Sequence, residues 1–409
     1  MHGVSASNGE GGGRGASSSG ARHRGQPRLL VITPDYPPAR GGIQLLVHRV
    51  VSGLGAFDTR VLTLDCPEAE SFDADSALPI RRVGAAGRSS LRENLSLNGS
   101  ALLQAARFRP HLTLSAHIVV SPAAAAMRRL LRTRTVQYFY AKEIGARPRL
   151  AAFAARQAHA SIAISSYTED LLEGAGAATT GVRLIPPGVD LPSDTAPLES
   201  ARPTLLTISR LADPYKGHDV LIRSLAQVRS RVPDVEWIVI GDGPLRGGLE
   251  ELARSCGLLE SVRFVGAVSD EQRDEWLRRT DLLAMPSRLP GAGRAGEGFG
   301  IVYLEAAAYG KPVVAGNVAG AVDAVVDGET GLLVDPTDPA AVAGAITELL
   351  LDRELAARLG GAGALRAKSF AWPLIAQRVE ALLLEQLDPS RRVDLAGAAP
   401  QADSARAVT

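Results

Sequence analysis

Glu297 and Glu305, seven residues between them, stand in the stretch Ser287–Gly310 (SRLPGAGRAGEGFGIVYLEAAAYG), the densest group of chemically useful residues in the chain. Glycines at 296, 298 and 300 let a backbone approach a ligand closely. A helix opening at Phe299, Gly300 and Ile301 turns free N–H groups toward that ligand. An anion, a diphosphate above all, suits such a seat. Glu305 lies five residues beyond Gly300, about 7.5 Å along a helix axis. That matches the separation of a pyrophosphate from the ribose of the same nucleotide, and a carboxylate there can accept hydrogen bonds from two vicinal hydroxyls. Glu297, in the loop before the helix, suits the hydroxyls of the group beyond the phosphates. The plainer alternative is a capping glutamate and a surface glutamate.

Thr207–Lys216 (TISRLADPYK) adds cations. Arg210 leaves a strand directly into a loop, and Lys216 follows at the mouth of the next helix. A helix N-terminus already favours anions, so a lysine there adds charge to an anion seat instead of balancing the dipole. Only four of the 45 basic residues are lysines: Lys142, Lys216, Lys311 and Lys368. In a chain so poor in lysine, Lys216 is not codon drift. Two cations beside a departing diphosphate stabilise the charge that develops as a glycosidic bond breaks. Two solvated surface cations are the alternative. Pro37–Gly42 (PPARGG) presents Gly41 and Gly42 at another helix start. Gly241–Gly248 (GDGPLRGG) has the wrong spacing for a dinucleotide fingerprint and reads as a tight turn, with Gly241 bordering the nucleotide pocket.

The elements that must hold these loops alternate. Short apolar runs at Arg28–Thr33, Arg60–Leu64, Leu112–Ser115, Thr135–Phe139, Ser161–Ile164 and Arg183–Ile185 predict strands. The pattern restarts at Thr204–Ile208, Glu236–Ile240, Val262–Phe264, Leu282–Met285, Pro312–Val314 and Gly331–Val334. Between them lie helical segments such as Ile43–Leu54 and Gly217–Val228. Alternation of this kind implies parallel sheets covered on both faces. It breaks at the polar, proline-bearing segment Asp190–Pro203, so the economical fold is α/β, two doubly wound Rossmann-like domains facing each other across a cleft. The chain of 409 residues is too long for one core. Residues 1–27 and 388–409 read as disordered tails.

Composition narrows the function. A formal net charge of +1 argues against a nucleic-acid binder, and no stretch reads as a membrane span or a signal peptide. Cys66 and Cys256 cannot build a disulfide framework or a cysteine zinc site, which points to a reducing cytosol. Residues 1–200 hold 22 basic and 16 acidic side chains, a balance of +6, and the remainder balances at −5. A basic first domain suits an anionic acceptor or a membrane surface, with ordinary scatter over solvated faces as the alternative. No acidic residue stands about 20 positions beyond a true glycine fingerprint, which disfavours a dinucleotide-dependent oxidoreductase.

Together these residues resemble the GT-B glycosyltransferases, specifically the retaining family 4. The likeness covers residues 28–387: the PPxxGGI-type start, IPPGVD at 185–190, SRL-x4-KG at 209–217, GDGP at 241–244, VRFVG at 262–266, the Glu297/Glu305 pair with AAAYGKPVVAG after it, and GLLVDP. ITPDYPPARGGIQ and EGFGIVYLEA look closest to actinobacterial mannosyltransferases that build phosphatidylinositol mannosides. The resemblance implies an acceptor domain over 28–193, a nucleotide-sugar domain over 202–369, and a helix at 370–387 that crosses back to the first. It implies that Arg210 and Lys216 bind the diphosphate, Glu305 the ribose and Glu297 the donor sugar. Gly42 would meet the β-phosphate, with Phe299, Gly300 and Ile301 at the helix mouth and backbone near Arg263 and Phe264 reading the base. The expected reaction is retaining front-face transfer from a GDP- or UDP-sugar without a metal or a separate cofactor. The acceptor would be an inositol lipid, a thiol or cyclitol, or a specialised metabolite. The expected location is the cytoplasm, with peripheral contact at the inner membrane face. Asp73-Ala74-Asp75 mimics a DxD metal motif and is expected in a loop, as an accident. One departure stands out: the family histidine loop after the strand ending at Phe139 reads Tyr140-Ala141-Lys142-Glu143-Ile144-Gly145 here. Tyr140 or Lys142 would then face the outer hexose hydroxyls, with His117 as a substitute, and Lys142 would suit an anionic sugar. A GT-B sugar-nucleotide epimerase is the alternative function.

Overall fold

The computed structural model describes residues 25–84, 91–291, 296–388 and 390, so the tails expected at 1–27 and 388–409 lie largely outside the described residues. The first sheet is formed by β1 (Arg28–Ile32), β2 (Asp58–Leu64), β3 (Ile80–Val83), β4 (Leu112–Ser115), β5 (Arg134–Phe139), β6 (Ala160–Ala163) and β7 (Val182–Leu184). Its order is 3-2-1-4-5-6-7 and every pairing is parallel. Leu29, Leu30, Val31 and Ile32 are all fully buried, as a central strand covered on both faces requires.

The second sheet contains β8 (Thr204–Ile208), β9 (Glu236–Ile240), β10 (Val262–Gly266), β11 (Leu282–Met285), β12 (Val313–Gly316) and β13 (Leu332–Val334), in parallel order 10-9-8-11-12-13. Its centre is stitched by buried polar bonds: Trp237 Nε1 donates to Thr207 Oγ1 at 2.9 Å, and Thr207 Oγ1 donates to the Ala284 carbonyl at 2.6 Å. These bonds fix β9, β8 and β11 next to the loops that follow β8 and β11. In doubly wound sheets ligands bind beyond the strand C-termini where the strand order reverses. That point lies between β1 and β4 in the first sheet and between β8 and β11 in the second.

The last helix, Trp372–Leu387, joins the two halves. Trp372, Ile375, Ala376, Val379, Leu382 and Leu383 are buried at helical spacing along one stripe. The stripe packs against helix Gly42–Ser52, which buries Leu46, Val47, Val50 and Val51. Val189 N–H donates to the Phe370 carbonyl at 2.9 Å, tying the end of the first domain to the start of this helix. The largest buried apolar cluster accordingly contains side chains of both sheets and of this helix.

Two expectations need correction. Strand β3 carries two arginines in four residues and lies at the sheet edge, so it lacks the apolar run that marks buried strands. Asp73 and Asp75 lie in helix Ala69–Asp75, not in a loop, and Asp73 pairs bidentately with Arg82 of β3 at 2.8 Å. Arg82 also donates to the Pro37 carbonyl at 2.6 Å. The overlooked strand thus anchors the glycine loop of the first domain. Trp372→Ala should cost about 3–5 kcal/mol, read as a lower denaturation midpoint, because it empties the seam between the halves. An unchanged midpoint would contradict this packing role.

Candidate active site

The loops after β1, β5, β8 and β11 converge on one cavity of about 330 Å³ between the sheets. From the second domain it is lined by Arg210, Lys216, Glu297, Phe299, Gly300 and Ile301, which come from segments far apart in sequence. The first domain contributes Gly42, Tyr140 and Lys142.

Lys216 ends the 3-10 turn Pro214–Lys216, just before helix His218–Arg231. Its ammonium is ion-paired to the Glu297 carboxylate, and both side chains are nearly buried. Sequence reasoning gave these two residues separate roles; the fold brings them into direct contact. Arg210 remains two-thirds exposed at the cavity edge, with Asp213 Oδ2 3.9 Å from its Nη2. Arg288 supports this loop from outside: its N–H donates to the Tyr215 carbonyl at 2.8 Å, and its guanidinium pairs with Asp219.

Helix Ile301–Ala308 points its N-terminus at the same place, with Gly300 as N-cap. Gly300 has φ +89°, and a Cβ there would fall 2.2 Å from the Tyr303 ring, which is itself pinned by its hydroxyl donating to the Met285 carbonyl at 2.7 Å. Only glycine permits this entry; Tyr303 N–H bonds the Gly300 carbonyl at 3.0 Å, and Gly300, Ile301 and Val302 bring the positive end of the helix to the cavity, where it suits an anion. Across the cleft, a Cβ on Gly42 would lie 3.6 Å from Ile301 Cδ1, so the two helix starts nearly touch.

In the first domain, Tyr140 lines the cavity, stacks on Tyr138 with centroids 5.8 Å apart, and has a buried hydroxyl without a hydrogen-bond partner. Lys142 Nζ lies 2.8 Å from both carboxylate oxygens of Asp213 in the second domain. His117 does not line the cavity. Its Nδ1 accepts from Val119 N–H at 3.1 Å and lies 3.1 Å from Glu143 Oε2. Glu143 is buried, and burial pushes its pKa well above the usual carboxylate range, although N–H groups of Ile118 and Tyr140 bond to it.

Glu305, Arg263, Phe264 and Gly241 lie outside the lining. Glu305 is bound by Arg273 Nη1 at 3.2 Å, and burial raises its pKa while Arg273 acts to lower it. Arg263 stacks on Trp276 at 5.4 Å in a separate depression, and the Phe264 carbonyl accepts from Arg246 at 3.1 Å. Gly241, at φ +123°, runs beneath the site: a Cβ would fall 1.9 Å from the Ser209 carbonyl oxygen. Sequence reasoning missed Asp213, Tyr215 and Arg273. Asp213 and Tyr215 stand inside the SRL-x4-KG segment as spacer positions, and Arg273 sits in a charged helix with no motif. Their roles depend on pairings across the fold.

Two facing parallel sheets with a cavity between them, rimmed by helix N-termini, make a GT-B fold. Residues 40–192 match the family described as Glycosyltransferase Family 4, and residues 194–366 match Glycosyl transferases group 1. The chain is 33% identical, over 82% of its length and 92% of the relative's, to a GDP-mannose-dependent alpha-(1-6)-phosphatidylinositol monomannoside mannosyltransferase of Mycobacterium tuberculosis. It is 37% identical, over 50% of its length and 49% of the relative's, to a D-inositol 3-phosphate glycosyltransferase of Salinispora arenicola. Its fold matches an Anabaena protein, HepE, solved with UDP and glucose (TM-score 0.73, 21% identity, 88% of this chain and 100% of that one). It also matches a sucrose-phosphate synthase of Thermosynechococcus elongatus (TM-score 0.75, 22% identity, 89% and 100%). The chain belongs to this glycosyltransferase family and is a hexosyltransferase.

Burial holds the imidazoles of His117 and His218 neutral, down to about 4, with Arg147 and Lys216 respectively pushing the same way. The unfolded chain takes up these protons near the ordinary value of 6.5. Stability should therefore fall as pH drops through the window from 6.5 to 4 and level off below it, by roughly 3 kcal/mol per histidine. Titration by NMR should place both midpoints near 4. A midpoint at the ordinary value for either would contradict its burial.

Proposed function

We propose that this protein transfers a hexose from a GDP- or UDP-sugar to an acceptor hydroxyl with retention of anomeric configuration. The observation that carries the reading is the single cavity where Arg210, Lys216, Glu297 and the helix mouth at Gly300 meet. Arg210, Lys216 and the backbone N–H groups of Phe299, Gly300 and Ile301 at the helix mouth hold the diphosphate, with Gly42 closing on it from the first domain. Glu297 takes donor-sugar hydroxyls. Glu305, one turn deeper, takes the ribose. Backbone at Gly241, Arg263 and Phe264 borders the base. The unpartnered Tyr140 hydroxyl is available to a hexose hydroxyl, which makes tyrosine a replacement for the family's imidazole.

As the glycosidic bond breaks, charge gathers on the β-phosphate, where the cations and the dipole stabilise it. The phosphate oxygen then accepts the acceptor's proton on the same face. No protein nucleophile and no metal is needed. Acceptors named for the curated relatives suggest an inositol-bearing group, either a phosphatidylinositol mannoside or an inositol phosphate. A peripheral seat at the inner membrane face suits the lipid case: Leu91, Leu95 and Leu103 are exposed beside Arg92 and Arg107 on helix Leu91–Phe108. No helix among the described residues is long and apolar enough to cross a membrane.

Incubation with GDP- and UDP-sugars plus each acceptor class should release nucleotide and yield the α-linked product from an α-donor. Lys216→Ala and Glu297→Ala should each lose about a hundredfold or more in turnover with circular dichroism unchanged. Absence of turnover with every pair, or conversion of the donor sugar without acceptor as an epimerase would do, would overturn the reading.

A further inference from the structure

Lys142 belongs to helix Ala141–Ala146 of the first domain, yet it bonds the second. Its ammonium lies 2.8 Å from both oxygens of Asp213, whose carboxylate also faces Arg210 Nη2 at 3.9 Å. The nearly buried Tyr215 ring has Lys142 Nζ 5.4 Å from its centroid and Lys216 Nζ at 5.5 Å, one ammonium from each domain. The pair also divides the cleft. On one side is the cavity of about 330 Å³, and on the other a second of about 660 Å³, reaching Ala146, Pro214 and Arg288. Lys142, Asp213 and Tyr215 line both.

We infer that Lys142 is a positioning residue: it clasps Asp213 across the cleft and thereby sets the loop that carries Arg210 and Lys216. Two consequences follow from the geometry. The approach of the first domain is coupled to the placement of the diphosphate cations, because Asp213 and Tyr215 lie between those cations in the chain. Lys142 also shares the Asp213 carboxylate with Arg210, so that Arg210 is left less neutralised and available to phosphate. Asp213 is mostly shielded from water while Lys142 is half-exposed, so the clasp is strongest at low salt. A tenfold shift in domain closure corresponds to about 1.4 kcal/mol, within reach of one charge-assisted, two-oxygen contact.

The catalytic half of this inference rests on the reading above; the structural half does not. In the full chain, Lys142→Met keeps the side-chain length and removes the charge, and Asp213→Asn removes the partner. With the donor that the wild type turns over, Lys142→Met should lower kcat about tenfold while calorimetric affinity for GDP or UDP changes less than threefold. The double variant should lose no more than the worse single one, as coupled neighbours do. Independently of turnover, spin labels on the two cysteines, Cys66 in the first domain and Cys256 in the second, report the gap. Their distance distribution should be broader in Lys142→Met than in the wild type, and in the wild type it should narrow as salt is lowered. An unchanged distribution overturns the clasp whether or not any donor is turned over. Additive losses in the double variant overturn it as well. A tenfold loss of nucleotide affinity in Lys142→Met would make the lysine a direct phosphate ligand and overturn the positioning role.

Discussion

The ion pair between Lys216 and Glu297 sits where charges of one sign have been gathered against their mutual repulsion. Lys216 and Arg210 converge with the N-termini of helices Gly42–Ser52 and Ile301–Ala308 on a cavity of about 330 Å³. Lys216, nearly buried, feels the neighbouring positive charge most, and anions placed among the cations offset that repulsion. Glu297 and Asp213 supply them: each carboxylate contacts a cation that the proposed reading gives to the diphosphate. Glu297 thus balances Lys216 within the cavity, and under the proposed reading it is also the group that meets the sugar hydroxyls.

The topology explains why these groups meet. Each sheet reverses its strand order once, and the loops leaving the strands at that reversal point into the cleft. The segments after β8 and β11, 77 positions apart, become neighbours because their strands are paired through Leu205–Leu282 and Leu206–Leu283. The first domain brings its own reversal to the opposite wall, and helix Trp372–Leu387 holds the halves together by a continuous apolar stripe. Local residues are equally constrained. Gly300 is tied by Tyr303, which is bonded to the end of β11, so the helix mouth and the strand move as one piece.

Much of this architecture is legible in the sequence itself. Apolar runs mark twelve of the thirteen strands among the described residues, most plainly the central ones, because strands buried on both faces are apolar throughout. The exception, β3, is an edge strand whose arginines serve an ion pair and a loop carbonyl. Loop motifs were legible where backbone freedom and charge had to occur within a few residues, as around Gly300 and Lys216. Pairings between distant segments were not. Nothing in the sequence ties Lys142 to Asp213, or Arg273 to Glu305, because each depends on the closing of one element upon another. His117 shows the converse: it stands at a suggestive position, yet its ring faces Glu143 and not the cavity.

The claim that everything else serves is that the cations and the helix mouth form a seat for two linked phosphates. Calorimetric comparison of a nucleoside diphosphate with its monophosphate, in the wild type and in Lys216→Met, tests it most directly. The diphosphate should bind at least tenfold more tightly, about 1.4 kcal/mol, and Lys216→Met should abolish most of that difference while leaving monophosphate affinity nearly unchanged. Equal affinity of the two nucleotides for the wild type would contradict the account.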